Sequence, residues 1–290
     1  MPKQTTTRHR ITPAYLLLTL LLALHFSSIS ADNYYRWQDN RGNPYFGDAA
    51  PENAVNPQLV ELNLQQPLYV VQKIIDGDTI VVQHAGKVRL LGINTPEIAH
   101  RDRAEEPLGK EAHQRLKQLL AGNKVYLEFD QRRRDKYKRL LAHVRLEDGT
   151  NINEVLLREG LARALFLQPN MKHLKYYYQV ESEAQEEKRG IWSLPEFKII
   201  QSQKAEQCLK RFCRLQGKVK RVEIKRNYTY LILVGGVRVA VHNKNLEQFR
   251  TTGIDVKALK GISIVVRGWV GTRKGTPYLH LQHPLQINLM

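Results

Sequence analysis

Four short motifs fall in order between residues 76 and 139. They are Asp76-Gly77-Asp78-Thr79, Arg89-Leu90-Leu91-Gly92-Ile93-Asn94-Thr95-Pro96-Glu97, Gly109-Lys110-Glu111-Ala112 and Asp135-Lys136-Tyr137-Lys138-Arg139. Together they gather the side chains of anion and cation chemistry. Carboxylates offer oxygen ligands to a hard cation and can move protons. Planar guanidinium groups can hold oxyanions bidentately. Taken singly, each motif has an ordinary structural reading. Asp-Gly is foremost a turn signal. Arg89 alone would be a solvated strand residue. Glu97 after Pro96 could simply begin a helix. Arg139 lies in a basic run that could be a surface face.

Their joint order and spacing closely resembles the staphylococcal nuclease (thermonuclease) family. The resemblance covers roughly Leu68 to Trp192 and includes Ser182-Glu183-Ala184-Gln185 and Gly190-Ile191-Trp192 near its end. It implies metal-dependent hydrolysis of phosphodiester bonds in DNA and RNA. A phosphodiester is anionic and repels nucleophiles, so its hydrolysis needs positive charge on the phosphate and an activated water. By resemblance Arg89 and Arg139 hold the phosphate, and Glu97 orients or deprotonates the attacking water. The implied ion is calcium, held by the Asp78 carboxylate, the Asn94 side chain and the Thr95 carbonyl oxygen. Tyr137 and Lys136 fall where the family lines its nucleotide site. The chain also departs from the pattern. Asn94 stands where the best-known member has aspartate, which keeps one carbonyl oxygen but removes a negative charge. Lys138 replaces a glycine. Phe166 and Leu167 stand where tyrosines often flank the base, so stacking is expected to weaken or to shift to aromatics such as Tyr176 or Tyr177. For the Tyr176-Tyr177-Tyr178 run, packing on a helix is the favoured reading.

The elements that must position these residues are readable from periodicity. Strands are expected at Val70 to Ile75, Ile80 to Gln83, Val88 to Leu91, Lys124 to Phe129 and Leu140 to Leu146. Helices are expected at Leu108 to Leu120, around Val155 to Glu159, and from Leu174 to Arg189. The expected fold is mainly β with α: a staphylococcal-nuclease-like OB barrel with three helices over residues 68–197. Residues 198–290 again read as short strands, which suits a second small OB-like β-barrel. Its loose resemblance to nucleic-acid-binding OB domains rests on Gly217-Lys218-Val219 and Val266-Arg267-Gly268-Trp269-Val270. Phe212, Tyr228, Tyr230 and Trp269 are its candidate stacking residues, with Trp269 read as core before platform. A structural or protein-binding role is the rival reading for this domain.

Lys3, Arg8 and Arg10, the apolar run Leu16 to Phe26, and the small residues Ser28, Ser30 and Ala31 have the pattern of a secretory signal peptide over residues 1–31. An uncleaved anchor is the alternative, and no later stretch reads as a membrane span. The expected location is therefore periplasmic or secreted. Residues 32–51 read as a small aromatic hairpin and residues 52–67 as a linker. The chain carries a formal net charge of +17, unevenly placed. Residues 201–290 hold 17 Lys and Arg against 4 Asp and Glu, while residues 32–200 hold 25 against 24. A basic block in one segment reads as a polyanion-binding surface, so this domain is expected to supply most of the salt-sensitive grip on a polymer. Cys208 and Cys213 are the two cysteines. On a single helix their side chains would point apart, and no further His or Cys completes a zinc site.

Two classes of function remain. The first is an active endonuclease on DNA and RNA. The second is a non-catalytic nucleic-acid-binding protein on a nuclease-like barrel. Retention of Asp78, Arg89, Glu97 and Arg139 favours the enzyme, because a mere binder has no need of Glu97. Binding to anionic membrane or cell-wall polymers rests on charge alone and ranks last. Nothing in the sequence points to a protein partner.

Overall fold

The computed structural model describes residues 34–38, 44–47, 55–60, 67–99, 104–122 and 124–290, so the leader read over residues 1–31 lies outside them. Three strands come first: β1 (Tyr34–Gln38), β2 (Pro44–Gly47) and β3 (Val55–Val60). They form an antiparallel sheet in the order β2-β1-β3, with Tyr35 opposite Gly47 and Gln38 opposite Pro44. The strand β3 lies inside the stretch read as a linker. Its Pro57 hid it, since proline weakens a strand signal and is tolerated here because β3 is an edge strand.

From residue 68 the β-branched runs become a barrel. Its parts in chain order are β4 (Leu68–Asp76), β5 (Thr79–Val82), β6 (Gly86–Leu90), β7 (Ile93–Asn94), α1 (Gly109–Leu119), β8 (Lys124–Arg134), β9 (Leu140–Arg145), α2 (Ile152–Arg158), β10 (Arg163–Ala164) and α3 (Leu174–Glu186). The strands β4-β5-β6-β9-β8 close on themselves, with β6 and β9 parallel. Ile80, Val82, Val88, Leu90, Val125 and Leu127 are buried inside it. Leu116 of α1, Leu156 of α2 and Val180 of α3 pack on the same core. Burial of side chains this size is worth about 1.5–3 kcal/mol each. Polar groups inside are matched. Asn153 accepts from the Val144 amide at 3.0 Å and donates to the Leu91 carbonyl at 2.8 Å, tying α2 to β9 and to the turn after β6. Tyr177 is fully buried, and its hydroxyl meets His143 Nδ1 at 2.9 Å. Burial pushes the His143 imidazole down to about 4, with the neighbouring His173 acting in the same direction.

The second barrel comprises β11 (Ile199–Gln201), β12 (Arg211–Ile224), β13 (Tyr228–Leu233), β14 (Arg238–His242), β15 (Ser263–Arg273), β16 (Thr276–Leu281) and β17 (Ile287–Leu289). Pairing of β12 with β15 closes the ring β12-β13-β14-β16-β15 around Leu215, Leu231, Val239, Ile264 and Leu279. Cys208 ends a 3-10 segment and Cys213 lies on β12, so the two do not share a helix. Their Cα atoms are 5.9 Å apart and they form a disulfide. Trp269 corrects its sequence reading: it points out of β15 and is 60% exposed, while Tyr230, at 7%, is buried.

The two barrels share a buried contact. Glu181 on α3 is fully buried, and both carboxylate oxygens accept from Arg267 on β15, one of them at 2.7 Å from Nη2. Glu181 Oε1 also accepts from the Ala164 amide at 2.7 Å. The Arg267 guanidinium lies 5.3–5.9 Å from the ring centres of Phe166, Tyr178, Trp192 and Phe212. Residues 66–290 thus form one compact unit rather than two bodies on a tether.

An uncompensated charge left in such a place is costly. Arg267→Ala is expected to lower unfolding free energy by about 3–5 kcal/mol in a urea titration. The pair Glu181→Gln with Arg267→Met removes both charges and keeps an acceptor for Ala164, so it is expected to recover most of that loss. An unchanged urea midpoint in Arg267→Ala would show the ion pair to be dispensable.

Candidate active site

The first three motifs meet because small residues let them. Gly77 sits in the β4–β5 turn, where an added Cβ would lie 2.7 Å from Thr95 Oγ1 and 2.9 Å from the Ala112 methyl. One glycine therefore packs the first motif against the second and third. Gly109, at the start of α1, lies against the Glu97 carbonyl with no room for a side chain. The Glu106 amide donates to that carbonyl at 2.9 Å, and Glu106 Oε2 accepts from the Glu97 amide at 3.2 Å. The third motif carries no chemistry of its own: Gly109 and Ala112 make it a seat for Glu97 and Thr95.

Asp78 is buried at the centre. Its Oδ2 accepts from the Thr95 amide at 3.0 Å and lies 2.6 Å from Arg89 Nη1. Its Oδ1 accepts from the Thr79 hydroxyl at 3.1 Å, and Asp76 Oδ1 accepts from the Asp78 amide at 3.0 Å. Register explains the Arg89 contact, since β5 and β6 pair Thr79 with Arg89. Arg89 Nη2 donates to Asn94 Oδ1 at 3.1 Å, and Asn94 Nδ2 donates to the Thr95 carbonyl at 2.9 Å. Burial raises the Asp78 carboxyl to about 6. Arg89 opposes that rise and Asp76 adds to it.

Arg139 comes from the far end of the motif series, after the β8–β9 turn. Asp135 organises that turn. Its Oδ1 accepts from the Tyr137 amide at 2.9 Å and the Arg139 amide at 3.0 Å, and its Oδ2 takes Arg139 Nε at 2.8 Å. Asp135 opens the fourth motif, but its role in the turn is not read from the sequence. An Asp two and four residues before the amides it caps is a general turn signal, which could have marked it. Lys138 adopts a left-handed φ of 63°, a conformation that a glycine adopts freely. Tyr137 is 67% exposed, with Lys136 Nζ 5.0 Å and Arg139 Cζ 5.6 Å from its ring centre.

Asp78, Arg89, Asn94, Glu97, Lys136, Tyr137 and Arg139 all line one cavity of about 630 Å³. Thr95 is buried behind it, bonded to Asp78. Leu165 and Leu167 form part of the wall. Phe166 instead stacks on His283 of the second barrel, with ring centres 5.7 Å apart and planes at 10°. Tyr177 is committed to the core. Among the described residues no three Asp, Glu, His or Cys side chains converge as a ready-made metal cage. The oxygens at hand are the Asp76 and Asp78 carboxylates, Asn94 Oδ1 and the Thr95 carbonyl. That all-oxygen set fits a hard divalent cation.

A barrel that brings two guanidinium groups, a carboxylate and an oxygen cluster to one cavity defines a phosphodiester hydrolase. Residues 87–194 match the family model described as staphylococcal nuclease homologue. The chain is 42% identical over 134 residues to the thermonuclease of Staphylococcus hyicus, covering 45% of this chain and 79% of that protein. It is 42% identical over 127 residues to the thermonuclease of Staphylococcus intermedius, covering 43% and 75%. It is 39% identical over 165 residues to endonuclease YncB of Bacillus subtilis, covering 54% and 74%. The chain belongs to the staphylococcal nuclease family. The second barrel lies wholly beyond the residues the family model matches.

The Asp78 environment has a direct test. Its carboxyl is expected to titrate near pH 6 by carbon-13 NMR, well above an ordinary aspartate. Arg89→Met removes the opposing charge and is expected to move it higher still. A titration at the usual aspartate pH, unmoved by Arg89→Met, would refute this account of the site.

Proposed function

We propose that the chain is an exported endonuclease that hydrolyses phosphodiester bonds in both DNA and RNA with calcium as its ion. The reading rests on the convergence of Arg89, Arg139, Glu97 and Asp78 on one cavity, from motifs spread over 62 residues of sequence. Arg89 and Arg139 grip the phosphate oxygens and hold them more firmly as charge builds toward the transition state. Glu97 takes the proton of the attacking water. Tyr137 and Lys136 sit at the exposed rim, where they contact the nucleotide beside the phosphate. The ion would be held by Asp78, Asn94 Oδ1 and the Thr95 carbonyl, and when bound it supplies Lewis-acid charge to the phosphate. In the structure Arg89 donates to the same Asp78 and Asn94 oxygens. Arg89 therefore has to exchange those contacts for phosphate oxygens on the way to catalysis.

Residues 201–290, with 17 basic side chains against 4 acidic, act in this reading as a nucleic-acid-binding OB barrel. Export is supported by the signal-peptide pattern of residues 1–31 and by the Cys208–Cys213 disulfide, which persists in an oxidising compartment. No helix among the described residues is long and apolar enough to cross a membrane.

The deciding assay incubates the protein with DNA and with RNA, in calcium or in excess chelator. Cleavage of both polymers in calcium, and none in chelator, is expected. Glu97→Ala is expected to lower turnover by about 10²–10⁴-fold at an unchanged melting temperature. Full activity in chelator would remove the metal from the mechanism, and full activity in Glu97→Ala would remove the base. A separate expectation concerns position 94. Asn94→Asp adds a negative charge to the oxygen set and is expected to tighten calcium binding in calorimetry. Weaker binding in that variant would overturn the ligand assignment.

A further inference from the structure

Asn94 and Leu165 line two cavities at once. One is the catalytic cavity; the other, of about 530 Å³, lies between the two barrels. Arg163 and Leu165 of the first barrel face Trp269, Gly271, Tyr278 and His280 of the second across it. Among the described residues no carboxylate lines this groove, and the one charged side chain is Arg163, whose guanidinium lies 4.5 Å from the Phe212 ring centre. A third cavity continues from it, sharing Arg163, Phe212 and Trp269 and adding the cations Lys210 and Arg211 beside Glu106 and Glu196.

The floor of the groove has a specific shape. The strands β15 and β16 are antiparallel with Gly271 opposite Tyr278. Alternation therefore puts Trp269, Gly271, Tyr278 and His280 on one face of the sheet. Trp269 is 60% exposed there, which is unusual for an indole. A Cβ added at Gly271 would meet nothing within 4 Å, so the missing side chain leaves a slot beside the indole.

We propose that this inter-barrel groove is a subsite for single-stranded nucleic acid. The strand whose phosphate lies between Arg89 and Arg139 continues past Asn94 and Leu165, and one of its bases stacks on Trp269 in the slot over Gly271. Continuity with the phosphate site, the absence of carboxylates among the described lining residues and an exposed indole together fit an anionic chain with flat apolar bases. A duplex keeps its bases stacked inside and has no free face to offer Trp269. The proposal rests on the nuclease reading for the strand's direction. It makes the second barrel part of the substrate site rather than an accessory grip.

The test compares thymidylate oligomers of two and eight nucleotides on the full chain. Stacking contributes about 1–3 kcal/mol per base, so the wild-type kcat/KM, taken per phosphodiester bond, is expected to favour the octamer by about tenfold or more. Gly271→Val enters open space on backbone that is not left-handed, so it is expected to keep the melting temperature while filling the slot. It and Trp269→Ala are each expected to bring the octamer-to-dimer ratio close to one, with Trp269→Phe restoring most of it. Binding of a fluorescein-labelled octathymidylate in excess chelator gives a readout independent of cleavage. There both variants are expected to weaken binding by about tenfold. If wild type cleaves nothing but this loss of binding appears, the nuclease reading fails and the groove stands. If either variant folds normally and leaves ratio and binding unchanged, the groove proposal is overturned.

Discussion

The buried carboxylate of Asp78 is the contact on which the site depends. It ties the β4–β5 turn to the Thr95 amide and holds Arg89 across from β6. A charge so buried persists only where donors surround it. Here a backbone amide, a hydroxyl and a guanidinium do so, and each comes from one of the first two motifs. The close approach is possible because position 77 has no side chain to separate Thr95 and Ala112 from the turn. Sequence spacing that looked like chemistry alone is therefore also packing.

Much of the fold was legible because it is local. The first barrel's strands and its three helices follow apolar periodicity, and their observed bounds fall close to the expected ones. The exceptions have physical causes. The strand β8 continues to Arg134, past the expected end at Phe129, through Gln131-Arg132-Arg133-Arg134, which is exposed and shows no apolar alternation. The strand β12 begins at Arg211, and its first eight residues pair with β15. Its Arg211 and Arg214 masked it as a solvated segment.

What the sequence concealed is mostly long-range. Glu181 and Arg267 are 86 residues apart, one on a charged helix and the other in an apolar strand. Only the docking of α3 on β15 buries them together. Trp269 shows the reverse error: an indole between glycine and valine in an apolar run reads as core, yet strand alternation turns it outward. The candidate ligands, arginines and Glu97 were legible from motif order. Asp135, which shapes the turn bearing Arg139, was not, because its work is done through backbone amides that any Asx turn offers.

Lys138 shows stability and local charge pulling in opposite directions. Its left-handed backbone costs a side-chain-bearing residue about 1–2 kcal/mol relative to the right-handed form, a strain glycine escapes. The turn is held in spite of this, by the Lys138 amide donating to the Asp135 carbonyl at 3.1 Å and by Arg134 Nη1 donating to the Lys138 carbonyl at 2.7 Å. In return the chain gains a third cation beside Lys136 and Arg139. A lineage selected for heat resistance would have a one-residue route through glycine, at the expense of positive potential over its own catalytic rim.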